Sequence, residues 1–85
     1  MIIALLTLLA APAHASGEAE GAEVAFQLGA DAYTAGQYED ALAHFLMSNR
    51  LAPNPSVAFN IARCHVRLQK YPEAHRWFTV ARRTG

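Results

Sequence analysis

The chain has 85 residues, room for one small domain. Hydrophobic residues make up 53% and charged residues 16%, and the basic and acidic side chains cancel to a formal net charge of zero. That balance argues against a general nucleic-acid binder or a protein held on anionic membranes by its charge.

The chain opens on MIIALLTLLAAPAHA, residues 1–15. The apolar run over residues 2–11 has the length of a signal-peptide hydrophobic region and falls short of the roughly 20 residues that span a bilayer. Pro12 interrupts the run, and Ala13-His14-Ala15 is small at both positions that face a signal peptidase. The segment predicts a signal peptide over residues 1–15, cleaved after Ala15. The product would then be periplasmic or secreted, with no membrane attachment after cleavage. The competing reading is a buried N-terminal helix. No Lys or Arg precedes the apolar run, so either the n-region is minimal or the true start lies upstream.

Residues 16–21 (SGEAEG) read as a short polar linker. Beyond it the sequence repeats at an offset of 33. Val24 falls on Val57, Ala25 on Ala58, Phe26 on Phe59, Tyr38 on Tyr71, Ala41 on Ala74 and Phe45 on Phe78. Identities in one register, at aromatic and small positions, mark an internal repeat. The first unit covers residues 22–54 and the second 55–85.

Each unit predicts two helices and a short turn, an all-α fold of two antiparallel helical hairpins. The first helix is expected over residues 22–35, with Gly36 supplying a left-handed stop. The second runs over residues 38–51, with Glu39 and Asp40 in a first turn where the helix dipole favours acids. Asn54 then suits an N-cap and Pro55 the first helical position. The third helix reaches about residue 68, and the fourth runs from near Pro72 to about residue 83. Within the hairpins, Leu28, Gly29 and Ala32 are expected to face Ala41, Phe45 and Ser48. Ile61, Ala62 and His65 are expected to face Ala74, Phe78 and Ala81, with Tyr38 and Tyr71 closing the turns.

The segment LGADAYTAGQYEDALAHFLMSNRLAP, residues 28–53, carries a small residue in its first helix, a Gly-x-Tyr turn, then Ala, then an aromatic four residues on, then a closing Pro. The second unit keeps Tyr71, Ala74, Phe78 and Ala81 but has Gln69 at the glycine position. This pattern resembles the tetratricopeptide repeat. The resemblance implies a right-handed solenoid whose first helices line a concave groove that binds a peptide or partner protein. On this sequence that groove would show Phe26, Tyr33, Phe59, Asn60, Arg63 and Arg67. The carboxylate clamp of some family members does not carry over, because Phe26 and Ala30 stand at its first two positions and only Asn60 matches. The alternative is a structural, self-associating piece of a longer array with no ligand of its own.

Arg63 and Arg67 lie four apart on one helix face beside Asn60. They read either as an anion- or carboxylate-binding patch or as a solvated face answered by the acidic first unit. Cys64 and His65 are adjacent, so their side chains diverge by about 100° and make no dyad. Cys64 reads as a packing residue, with an intermolecular disulfide as the alternative. His44, His65 and His75 have no metal-ligand spacing, and His65 is expected to point inward. No constellation suggests an enzyme, a cofactor or a metal site.

Two hairpins are fewer than the three or so repeats that such stacks usually need. Trp77 and Val80 on the last helix are therefore expected to mark an open interface at that end, with at least one of them partly exposed. The chain is expected either to continue past Gly85 or to associate there.

Overall fold

In the computed structural model the described residues run from 11 to 84, with side chains from 17 to 83. They form four helices and, among the described residues, no strand: α1 (Ala11–Thr34), α2 (Tyr38–Leu51), α3 (Pro55–Arg67) and α4 (Tyr71–Thr84). No described helix is long and apolar enough to cross a membrane. The signal-peptide segment lies outside the described residues, apart from the backbone of residues 11–15, which begins α1.

α1 packs on α2, α3 on α4, and α2 on α3. Ala22 meets Ser48, Phe26 meets Phe45 and Tyr33 meets Tyr38, so partner numbers rise on α1 as they fall on α2. The first hairpin is therefore antiparallel.

The sequence repeat is also a repeat of geometry. Phe26 and Phe45 hold their ring centroids 5.5 Å apart, and so do Phe59 and Phe78. Gly36 has φ 78° and Gln69 φ 62°, the two left-handed residues among those described. After α1, the Gly36 N–H donates to the Tyr33 carbonyl at 3.0 Å and the Gln37 N–H to the Ala32 carbonyl at 2.9 Å. After α3, Gln69 donates to Val66 at 2.9 Å and Lys70 to His65 at 2.8 Å. Both turns are Schellman closures, which satisfy carbonyls that the helix end would otherwise orphan. The second makes a residue with a Cβ adopt a conformation that costs about 1–2 kcal/mol. The start of α3 is as the sequence reads: the Asn54 side chain accepts from the Ser56 N–H at 2.7 Å, and Pro55 occupies the first turn.

The central cluster of Ala41, Phe45, Val57, Ile61 and Cys64 sits between α2 and α3. Within the first hairpin the close approach depends on Gly29: a Cβ there would lie 2.8 Å from the Phe45 ring. Ser48, buried beside it, donates its hydroxyl to the Ala22 carbonyl at 2.8 Å.

Several expectations need correction. The 16–21 stretch is helical rather than a linker, and α1 begins well before residue 22. Its inner face continues through Gly21, whose Cβ position is 3.3 Å from Leu51, and through buried Ala22. Leu28 does not face α2 and stays 47% exposed. Gly29 and Ala32 do face it, and the inner stripe continues through Ala22 and Ala25, small residues that let the helices approach. Ile61, expected to face its own hairpin, belongs to the cluster between α2 and α3. Tyr71 does not close the second turn and is mostly exposed, because Val66 stands where the first turn has Tyr33. On the last helix, Trp77 packs, half-buried, against the central cluster, and Val80 is 40% exposed.

Candidate functional site: an arginine–tyrosine cradle

Tyr33 lies in the last turn of α1, Tyr38 begins α2, and Arg63 and Arg67 lie one turn apart on α3. The tight turn at Gly36 brings the two tyrosines together edge to face, centroids 5.1 Å apart. The next hairpin lays α3 against this pair. The Arg63 guanidinium sits 4.5 Å over the Tyr33 ring and 6.0 Å from the Phe59 ring. Arg67 sits 5.1 Å over Tyr38 and 5.8 Å from Tyr33. Its Nε donates to the Tyr33 hydroxyl at 3.3 Å. Cation–ring contacts of this kind offset the repulsion of two like charges four residues apart.

Asn60 orients Arg63. Its Nδ2 donates to the Ser56 carbonyl at 3.0 Å, and its Oδ1 accepts from Arg63 Nη1 at 2.9 Å. The hydrogen bond to Tyr33, together with the negative charge that the Tyr38 and Tyr33 phenols carry when ionised, raises the Arg67 pKa further above its ordinary value. A guanidinium has five N–H donors. Each arginine has one donor engaged within the protein, and both are exposed.

The expected charge balance is absent. Among the described residues, the ion pair found is Arg76 with Glu73 at 3.9 Å, within α4. Neither Arg63 nor Arg67 has a carboxylate partner there. The acidic side chains of the first hairpin do not answer them; aromatic rings do.

Comparison of the chain with protein-family models, curated proteins and solved structures finds no match.

Five of the six residues expected in the groove meet: Tyr33, Phe59, Asn60, Arg63 and Arg67. Phe26 is not among them. It turns inward against Phe45 and lines a separate cleft of about 330 Å³ with Ala22, Ser48 and Val57. Tyr38 is the residue that sequence reading missed, having been assigned to the turn alone. Its pairing with Arg67 requires the two hairpins to stack, which no local spacing reveals.

Cys64 and His65 lie on the other side of α3. Cys64 is fully buried, and burial pushes its thiol up to about 11, against a smaller lowering by Arg63. It is a packing group that stays protonated at neutral pH. His65 is buried, with Nδ1 lacking a hydrogen-bond partner. Burial lowers its pKa, opposed by Glu73 and assisted by Lys70 and Arg76.

Proposed function

We propose that this protein is an exported protein–protein interaction module of the tetratricopeptide type, and that the Arg63–Arg67 face receives an acidic peptide segment of a partner. Export rests on the apolar run and the Ala-His-Ala site of residues 1–15. The family reading rests on the 33-residue repeat and its two equivalent turns. The observation that carries the binding role is a pair of guanidiniums positioned on Tyr33, Tyr38 and Phe59 without a carboxylate among the described residues. Positioned arginines suit planar carboxylates because two N–H groups meet two oxygens at once. Their ordering on the rings means that little side-chain freedom is left to lose on binding.

The test is fluorescence anisotropy with a labelled hexaglutamate peptide, against its glutamine counterpart as control. The glutamate peptide should bind more tightly, and salt should weaken it. Arg63→Ala with Arg67→Ala should reduce affinity at least tenfold and flatten the salt dependence. Unchanged affinity in that double variant, with helicity intact, would remove the proposal.

A further inference from the structure

The two hairpins expose the same repeat position differently. Val57 and Ile61 on α3 are 6% and 0% exposed because α2 covers them. Their equivalents on α1, Val24 and Leu28, are 59% and 47% exposed. At the opposite end of the molecule lies a matching hollow. The cleft beside Phe26 is lined by Ala22, Glu23, Phe26 and Ser48, and Val57 of the next hairpin helps to close it. One repeat later, Pro55, Ser56, Phe59 and Ala81 line a more open hollow of about 480 Å³, together with Phe78 and Arg82. Among the described residues, none equivalent to Val57 lines it.

The molecule thus carries an unplugged socket on α3 and α4 and an unused plug on α1. We infer that the occupant of this socket is the α1 face of a second copy of the chain, stacked head to tail. Repeating the operation that sets α3 on α2 places Val24 of the next copy where Val57 stands in the filled cleft. Glu23 then takes the place of Ser56, at the rim that Arg82 lines. The charges agree with this direction. The exposed plug helix carries Glu20, Glu23 and Asp31, whereas the exposed end of the socket helix carries Arg82 and Arg83. Opposite charges steer such an encounter and disfavour plug-to-plug or socket-to-socket pairing. Because the two surfaces differ, the contact is heterologous and does not close after two copies. Arg63 and Arg67 belong to neither surface; Phe59, which lines the socket, is the residue this contact shares with the peptide-binding face.

The experiment is sedimentation velocity of the full chain over a concentration series, with circular dichroism to verify that every variant is helical. Wild type should show an average mass that rises past the dimer without a plateau. Leu28→Glu blocks the plug and Arg82→Glu weakens the socket; each should raise the dissociation constant at least tenfold. Both positions are exposed, so neither change should unfold the chain, and Val24→Glu is a second plug variant. Mixing separates the geometries: Leu28→Glu retains a good socket and Arg82→Glu a good plug, so the mixture should recover a one-to-one pair. A wild type that stays monomeric at every concentration overturns the inference. So does association that survives Leu28→Glu and Val24→Glu, or a dimer plateau that mixing the variants does not restore.

Discussion

The two hairpins share a ring pair, a turn and a 33-residue register, yet they differ in what surrounds those parts. In the first, Phe45 is fully buried because it lies between α1 and the α2–α3 cluster. In the second, Phe78 makes the same ring contact but is only half-buried, with no further helix beyond it among the described residues. On the other flank the inequality reverses: Val57 and Ile61 are covered, while Val24 and Leu28 are open. The same residue type at the same repeat position is therefore worth different amounts. The difference is set by neighbours rather than by the helix that carries it.

The largest expected effect tests that inequality directly. Phe45→Ala should cost about 3–5 kcal/mol, the range for emptying a buried aromatic site. Phe78→Ala should cost clearly less, about 1–3 kcal/mol, because part of the ring is already in water. Urea titrations followed by circular dichroism would measure both. Equal losses would show that the second hairpin is as enclosed as the first and would break the comparison.

Next is the close approach of α1 and α2. Gly29 corresponds to Ala62, which is fully buried and carries a Cβ without difficulty. A Cβ at Gly29 would press on Phe45 at 2.8 Å, on a buried ring that has little room to move. Gly29→Ala should therefore destabilise by about 1–2 kcal/mol, with over-packing outweighing the improved helix propensity. A gain in stability would mean that the Phe45 ring can shift and that the hairpins are less unlike than they look.

The turns predict a pair of opposite signs. Gly36→Ala should lose about 1 kcal/mol, because alanine resists a φ of 78°. Gln69→Gly should gain up to about 1 kcal/mol by relieving the same conformation, less the extra freedom that glycine has when unfolded. Thermal melts of the two variants should move in opposite directions. Movement in the same direction would mean that the two Schellman turns are not energetically alike.

The smallest effect separates the hairpins by pH. His65 occupies the position of Ala32, so only the second hairpin buries an imidazole there. Its folded pKa lies below the ordinary 6.5, through burial, with Glu73 opposing and Lys70 and Arg76 assisting. The unfolded chain thus takes up the proton more readily. The stability this gives is present above about pH 6.5 and is lost as pH falls through the lowered folded value. His65→Ala should flatten that acid limb in a denaturation series from neutral pH to pH 5. An unchanged slope in His65→Ala would assign the limb to other groups.

Much of this was legible in the residues. The order of four helices, the glycine stop at Gly36, the Asn54 cap and the repeat itself depend on local backbone preferences and on matches along the chain. So did the grouping of Asn60, Arg63 and Arg67, since residues three or four apart on a helix must share a face. The place of Leu28 on α1 is not fixed by spacing, because Leu28 and Gly29 are neighbours about 100° apart and only one of them faces α2. Periodicity does not say which of two apolar stripes meets the partner within the hairpin and which awaits the next one. The early start of α1 is hidden in the sequence because Ser, Gly and Glu suit a linker as well as a helix, while Gly21 serves the approach of Leu51.

The sequence alone determined that this protein is helical, that it repeats, and where its turns fall, because those properties are written in short-range spacing. Only the tertiary structure decided which copy of each repeated residue is buried, that Tyr38 and Tyr33 rather than acidic side chains receive Arg67, and that Val24 and Leu28 stand open. Burial and long-range pairing depend on which surface the stacked hairpins leave uncovered, and identical residues one repeat apart carry no record of that.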